Sequence, residues 1–271
     1  MVDTAGHEAV TNSFDFGRVL NRTVSAVINN FKSFFLIGFI IYGVPSIFVT
    51  LFGLYAAKMD LFFNGLNLDE NLVQALFISI LFIGLGIYLY LSLWLTGGLT
   101  VASLAAFNNE PVDIKKSLRE TRHLVWRLLR MSLLFLMGML LGLILLIVPG
   151  IIFYCMYCVA AAALVAEDES VTGSLSRSSD LTDGYKWWVF LLIVIYLLVS
   201  IAIELFSLIP IKVIGLVLND HFVIGSLGLI TKGLTNTFTN IISIVGLTSL
   251  YYELRLAKEG IGSESIYEIF D

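Results

Sequence analysis

The stretch that decides the fold is residues 187–209, WWVFLLIVIYLLVSIAIELFSLI, in which Glu204 is the one charged residue. At 1.5 Å rise per residue, a helix of this length crosses a bilayer hydrocarbon core of about 30 Å. Five other apolar stretches come close to the same requirement, and 58% of the chain is hydrophobic against 14% charged, which excludes an ordinary soluble domain. The six predicted spans are residues 33–55, 72–95, 131–148, 151–166, 187–209 and about 235–254.

The basic residues are distributed unevenly between the segments that join these spans. If all six stretches cross the membrane, 13 of the 16 Lys and Arg residues lie on the side that also holds both termini. The opposite side keeps only Lys58, Lys212 and Lys232. Lys and Arg collect in cytoplasmic segments, so the sequence predicts a multi-pass protein of the bacterial inner membrane with both termini in the cytoplasm.

An amphipathic stretch precedes each pair of spans. The three stretches cover residues 14–32, 111–130 and 170–188, with apolar side chains at helical spacing. They align at three leucines and at three hydroxyl residues. These positions are Leu20, Leu118 and Leu175, and Thr23, Thr121 and Ser178. The predicted fold is an all-α integral membrane protein built from three repeats of a surface helix and a transmembrane hairpin. Chance likeness between helices that flank spans is the alternative.

The remaining segments complete the predicted domain organisation. Residues 1–13 are expected to be disordered, residues 14–260 to form the membrane domain, and residues 261–271 to form an acidic tail. Val148-Pro149-Gly150 predicts a tight outer turn between the third and fourth spans. Residues 210–234 carry too many polar and glycine interruptions for a span, so they are predicted to be an outer loop or a shallow re-entrant segment.

Basic residues of the first two amphipathic stretches are predicted to meet anionic headgroups on the cytoplasmic leaflet. They are Arg18, Arg22, Lys115, Lys116, Arg119 and Arg122. Acidic residues at 167–169 and in the tail argue against nucleic acid as a partner. Membrane lipid is therefore the predicted partner, with an envelope protein as a second.

Polar side chains within the spans are the candidates for a pathway. Asn236, Asn240 and Ser243 share one face of the last span, and Glu204 lies toward the outer end of the fifth. Such a face usually points to the bundle interior, where neighbouring helices satisfy it. Two interpretations stay open: packing within the bundle, or a polar or lipid-headgroup pathway.

No motif in the sequence indicates catalysis or a cofactor. Cys155 and Cys158 lie in an apolar span without a nearby cation to activate them. The histidines fall on separate segments and the acidic residues are dispersed along the chain, so neither a catalytic nor a metal site is expected. Gly138-x-x-x-Gly142 permits close helix approach, either within one chain or between two copies.

Three parts of the sequence resemble one known family. They are Asp15-Phe16-Gly17 through Asn30-Phe31; Pro149-Gly150-Ile151 followed by Glu167, by Leu175-x-Arg177-Ser178-x-x-Leu181-Thr182-x-Gly184 and by Trp187-Trp188; and Leu250-Tyr251-Tyr252-Glu253-Leu254-Arg255-Leu256-Ala257-Lys258-Glu259-Gly260. Together they resemble the glycerophosphoryl diester phosphodiesterase membrane-domain family and its YciC-like relatives. In that family the membrane domain is sometimes attached to a soluble phosphodiesterase barrel, whose His-Arg-Gly start and metal carboxylates are not found in this sequence. The resemblance implies a fold and a membrane location, and it does not imply hydrolase activity.

Charged residues in the resembling parts suggest a network. Glu167, Arg177, Glu253 and Arg255 are expected at the cytoplasmic ends of spans. We expect some of them to pair and to hold the third surface helix against the last span, because partly buried charges persist when they are paired.

The predicted function is a non-enzymatic scaffold that interacts with lipid or with an envelope partner. Two alternatives stay open. One is a transporter or lipid-handling protein with a path lined by the last span, and the other is the membrane part of a glycerophosphodiester phosphodiesterase system.

Overall fold

The computed structural model describes residues 14–48, 70–217 and 221–260. Within these ranges the secondary structure is helical and includes no strand, which confirms the all-α prediction there. Five helical segments are long and apolar enough to cross a membrane. They are Phe31–Phe48, Ile78–Phe107, Ile114–Gly142, Val148–Ala166 and Lys186–Leu216. The predicted disordered N-terminus, residues 49–55 of the first predicted span and the acidic tail lie outside the described residues.

Three short amphipathic helices match the predicted surface stretches. They are α1 (Phe16–Asn29), α4 (Ile114–Thr121) and α8 (Val171–Thr182). Each begins at a side chain that accepts hydrogen bonds from backbone N–H groups of the first turn, which is the role of an N-cap. The three caps are Asp15, Asp113 and Ser170.

The other helices form the body of the bundle. They are α2 (Phe31–Gly38) with a π-helical turn at Phe39–Gly43, α3 (Glu70–Phe107), α5 (Val125–Leu145), α6 (Ile147–Tyr157), α7 (Ala160–Ala166), α9 (Lys186–Val217) and α10 (His221–Glu259). A short 3₁₀ segment, Arg122–Leu124, joins α4 to α5. Helix α10 contacts α1, α2, α3, α7, α8 and α9, and it places Ile241, Val245 and Leu250 in the buried core.

The prediction of a loop or re-entrant segment at residues 210–234 is wrong for the described part of that range. Helix α9 continues through Pro210 to Val217, and α10 begins at His221. Within 210–217 and 221–234, polar and glycine residues interrupt the apolar pattern but not the helices. In lipid a continuous helix satisfies its own backbone groups, and proline is tolerated in membrane helices.

The predicted turn at Val148-Pro149-Gly150 is also displaced. Helix α5 ends before Leu146, whose extended backbone (φ −177°, ψ 155°) makes the turn, and α6 begins at Ile147. Pro149 therefore lies in the first turn of α6. A proline is tolerated there because the N–H it lacks would have no partner within the helix.

The predicted fourth span is divided between α6 and α7, and α8 stabilises the division. The hydroxyl of Ser178 donates to the carbonyl of Met156 at 2.8 Å, and the hydroxyl of Thr182 donates to the same carbonyl at 3.3 Å. A backbone acceptor at the end of α6 is thus satisfied by side chains of a surface helix, as buried acceptors require.

Candidate functional site at the charged end of the bundle

A fully buried carboxylate near the end of α10 holds α1 in place. The Glu253 side chain is 0% exposed. Its Oε1 accepts hydrogen bonds from Arg18 Nη2 at 2.5 Å and Nε at 2.9 Å, and its Oε2 accepts one from Arg22 Nη1 at 3.0 Å. The backbone N–H of Asp15 donates to Oε1 at 3.1 Å. Hydrogen bonding to this carboxylate raises the pKa of Arg18.

Arg22 joins a third helix to this cluster. Its guanidinium carbon lies 4.4 Å from the ring centroid of Tyr252 and 5.8 Å from that of Phe107, within the range of cation–π attraction. The two rings meet edge to face at 5.7 Å. Since Phe107 is the last residue of α3, the ends of α3 and α10 and the surface helix α1 are fixed together.

A second cluster ties α8 to the ends of α7 and α10. Arg177 Nε donates to the two oxygens of Glu167 at 2.9 and 3.0 Å, and the Tyr251 hydroxyl donates to Glu167 Oε1 at 2.6 Å. Arg177 also pairs through Nη2 with Glu259, which accepts from Arg255 Nε at 3.1 Å. Burial lowers the pKa of Arg177, but its hydrogen bonds to Glu167 and Glu259 outweigh burial and raise that pKa.

These contacts define one region, which we call the charged end: the end of the bundle where α1, α4 and α8 contact the ends of α3, α7 and α10. Of the four residues predicted to form a network there, Glu167 and Arg177 pair with each other. Glu253 pairs instead with Arg18 and Arg22, and Arg255 pairs with Glu259. The third surface helix does reach the last helix, but through Glu259.

Two of the predicted lipid contacts belong to this interior network. Arg18 and Arg22 form ion pairs with Glu253, with side chains 37% and 20% exposed. Their spacing of four residues on the polar face of α1 suits an internal carboxylate as well as a headgroup, so the sequence offered no signal that chooses between them.

A cavity of about 650 Å³ lies between the end of α3, helix α4 and the end of α7. Leu104, Leu124 and Val165 form part of its apolar wall. Its charged and titratable lining consists of Glu110, Asp113, Lys116, Glu120, His123 and Asp168. The acidic residues expected to be dispersed are therefore partly gathered, because the fold brings α4 against the end of α7.

Most of these acids already have partners. Asp113 caps α4, and Asp168 Oδ1 pairs with Arg127 Nη2 at 2.7 Å and lies 3.6 Å from His123 Nε2. Glu120 lies 3.8 Å from the Lys116 ammonium. Within the described part of the chain, no group of three or more His, Cys, Asp or Glu residues is arranged to hold a metal ion.

A second, more open cavity of about 580 Å³ lies beside the end of α4 and the start of α5. We call it the headgroup groove; its lining residues are Tyr90, Arg119, Arg122, His123 and Trp126. The Trp126 side chain projects from the first turn of α5 and is 68% exposed. Two of the predicted lipid contacts, Arg119 and Arg122, thus share a groove with two aromatic rings.

The other two predicted lipid contacts, Lys115 and Lys116, are exposed on α4. Lys116 lies beside the cavity of 650 Å³ and near Glu120. Neither lysine lines the headgroup groove.

The predicted polar pathway lies away from both cavities. Asn236, Asn240 and Ser243 are half-buried on α10, and the Asn240 amide donates to the carbonyl of Asn236 at 2.7 Å and to its Oδ1 at 3.0 Å. The Asn236 amide donates to the carbonyl of Tyr42 at 3.4 Å. Glu204 is exposed on α9, and no hydrogen bond or ion pair joins it to the other three among the described residues.

The comparisons with known proteins returned no match to any family model, curated protein or solved structure. Over the residues that the structure describes, the fold and the site define a class: a helical bundle with five segments long and apolar enough to cross a membrane and a dense set of ion pairs at one end.

Proposed function

We propose that the protein is a non-enzymatic, multi-pass scaffold of the bacterial inner membrane whose surface helices bind anionic lipid at the cytoplasmic leaflet. The observation that carries the proposal is the charged end itself. There, ion pairs fix α1 and α8 to the bundle and a hydrogen bond from Trp94 fixes α4, while a separate set of basic side chains stays exposed. That exposed set is Lys32, Lys115, Arg119, Arg122 and Arg130. Anionic headgroups attract each such cation by about 1 kcal/mol.

In this proposal α10 is the sixth span. Its 39 residues extend about 58 Å at 1.5 Å per residue, which exceeds the hydrocarbon thickness. Helix α10 is less hydropathic than the five candidate spans, but it can still cross the membrane because several of its polar residues face protein. Thr235, Thr237, Thr248 and Ser249 are buried. With six crossings, the chain returns to the charged end before α4, before α8 and at the end of α10.

The three-fold repeat is also part of the proposal. In the alignment on Leu20, Leu118 and Leu175, the three N-caps occupy one equivalent position and three buried hydroxyl residues occupy another. The caps are Asp15, Asp113 and Ser170, and the hydroxyl residues are Thr23, Thr121 and Ser178. This agreement of cap and buried face supports a common unit.

Nanodiscs of two compositions test the lipid interaction. A ligand that binds only the folded state raises its stability. The melting temperature should therefore be higher in phosphatidylcholine mixed with phosphatidylglycerol than in phosphatidylcholine alone, and added salt should reduce the difference. Equal melting temperatures in the two nanodiscs would contradict the proposal. An envelope protein that co-purifies at fixed stoichiometry would identify the scaffold's protein partner.

Handling of a small ligand or lipid is a second candidate, and the cavity of about 650 Å³ favours it. Native mass spectrometry of gently purified protein separates the two functions. A bound molecule of fixed mass, retained by the wild type and lost when the cavity residue Ala105 is replaced by Phe, would favour ligand handling. Loosely bound bulk lipid in both proteins would favour the scaffold.

A further inference from the structure

We infer that the headgroup groove binds the phosphate of one anionic phospholipid, with the guanidinium groups of Arg119 and Arg122 as hydrogen-bond donors. Trp126 and Tyr90 pack against the glycerol and the upper acyl chains of the same lipid. This inference rests on the proposed function, because it requires the charged end to lie at the level of the headgroups.

Arg119 and Arg122 differ from most of the arginines at this end of the protein. Arg18, Arg22, Arg127, Arg177 and Arg255 each pair with a carboxylate. Arg119 and Arg122 are exposed and form no ion pair with any residue that the structure describes. Arg130 is also exposed and without a carboxylate partner among the described residues, but its Nε donates to the carbonyl of Trp126 and it does not line the groove. Guanidinium groups form bidentate hydrogen bonds to phosphate, and two of them beside one groove complement a phosphodiester better than a single cation would.

The aromatic residues place the groove at a membrane interface. Trp126 lies in the first turn of a helix within one candidate span, and Tyr90, 39% exposed, lies within another. Trp and Tyr collect where hydrocarbon meets headgroups, because their rings are apolar at one end and polar at the other. Trp187 and Trp188 occupy the corresponding first turn of α9. A cation beside such rings is at the depth of a lipid phosphate.

The groove is built on fixed elements. The Trp94 indole N–H of α3 donates to the carbonyl of Leu118 in α4 at 2.6 Å. A Cβ added at Gly98 of α3 would lie 2.5 Å from Leu118 Cδ2, so the two helices touch closely at this glycine. Because α4 is held against α3, the side chains of Arg119 and Arg122 start from a defined position relative to Tyr90.

A membrane lipid suits the groove better than a soluble anion does, because apolar surface continues beyond it. Ile87 and Ile83, one and two turns before Tyr90 on α3, are exposed, and so is Leu133, two turns after Trp126 on α5. Residues at these spacings share a helix face. A phosphate held by the arginines would leave its acyl chains along this exposed surface.

Lipid titration followed by native mass spectrometry tests the site. The full chain carrying both Arg119→Gln and Arg122→Gln is compared with the wild type during addition of phosphatidylglycerol. We expect the apparent Kd of the first bound lipid to rise about tenfold, equivalent to about 1.4 kcal/mol. Both side chains are exposed, so the variant should keep the wild-type melting temperature without lipid.

The matched control removes the same amount of charge from α4 outside the groove, with Lys115→Gln and Lys116→Gln. If the apparent Kd of the first bound lipid rises less than about twofold in the control, the result supports a defined site. If both double variants bound phosphatidylglycerol equally weakly, the lipid would be held by diffuse attraction, and the proposed site would be overturned. If inorganic phosphate alone raised the melting temperature of the wild type as much as phosphatidylglycerol does, the groove would be assigned to a soluble anion. If the wild type does not prefer phosphatidylglycerol over phosphatidylcholine at all, the proposed function fails together with the site.

Discussion

At the scale of single residues, Glu253 organises the charged end. Its carboxylate has no exposed surface and accepts hydrogen bonds from two arginines and one backbone N–H of the segment that begins α1. Burying a carboxylate is costly unless it is paired and hydrogen-bonded, and here both conditions are met. The residue therefore has a structural role, which is to hold α1 against the end of α10.

Replacing Glu253 with Gln should strongly destabilise the fold. The amide keeps the side-chain shape but leaves Arg18 and Arg22 without a counter-charge, a loss of about 3–5 kcal/mol when one partner of a buried pair is removed. Thermal unfolding in detergent, followed by tryptophan fluorescence, measures the effect.

The matched control is Glu120→Gln, which removes an exposed carboxylate 3.8 Å from Lys116. Exposed pairs contribute below about 1 kcal/mol, so its melting temperature should hardly change. Similar melting temperatures for both variants and the wild type would show that the Glu253 cluster contributes no stability.

At the scale of helices, glycines decide how closely neighbouring elements pack. A Cβ added at Gly142 of α5 would lie 2.9 Å from the Cα of Gly150 in α6, and one added at Gly138 would lie 2.2 Å from the ring of Phe153. The Gly138-x-x-x-Gly142 face is thus used within the chain, between α5 and α6. Of the two interpretations that the sequence left open, the structure supports close packing inside one copy.

Gly142→Ala should therefore lower stability without changing the oligomeric state. The new methyl group meets backbone atoms that cannot rotate away, and such overpacking costs about 1–3 kcal/mol. Melting temperature and the mass of the protein–detergent complex by light scattering are the two measurements.

Gly84→Ala is the matched control, since a Cβ at Gly84 of α3 has no atom within 4 Å. It should be neutral or slightly stabilising, because alanine favours helix over glycine by up to about 1 kcal/mol. A Gly142→Ala variant with unchanged melting temperature but a smaller assembly would place this face between copies instead.

At the scale of the whole molecule, the short helices α1, α4 and α8 collect at one end of the bundle. Contacts with the long helices hold them there: Arg18 to Glu253 for α1, Leu118 to Trp94 for α4, and Arg177 to Glu259 for α8. Exposed Lys and Arg residues lie at this end, and because such residues collect in cytoplasmic segments, we expect the charged end in the cytoplasm.

Cysteine labelling in intact cells tests this topology. Cys155 and Cys158 are buried, and replacing both with Ala gives a background without thiols. A cysteine at Thr172, exposed on α8, should resist a membrane-impermeant maleimide until the cells are opened. A cysteine at Asn219, which lies outside the described residues, should react in intact cells. Protection of Asn219 together with labelling of Thr172 would reverse the orientation.

The sequence by itself determined the features that depend on neighbouring residues. Hydropathy marked the apolar helices, and helical periodicity marked the starts of α1, α4 and α8 to within about three residues. The second and third predicted stretches, 111–130 and 170–188, extend well beyond the ends of α4 at Thr121 and of α8 at Thr182. Both signals are local, since each arises from side chains on one continuous helix. Hydropathy failed in the described parts of residues 210–234, because polar side chains interrupt the apolar pattern there although the backbone of 210–217 and 221–234 is helical.

Only the tertiary structure decided which charges meet. Glu253 and Arg18 are 235 positions apart, and Glu167 and Tyr251 are 84 apart. The gathering of acidic residues around one cavity and the sharing of a groove by Arg119, Arg122 and Trp126 likewise depend on how α4 packs against other helices. Charge and periodicity fix which face of a helix is polar, but a polar face can meet a carboxylate, water or a headgroup. Packing between distant helices makes that choice, because it sets which partner lies within hydrogen-bond distance.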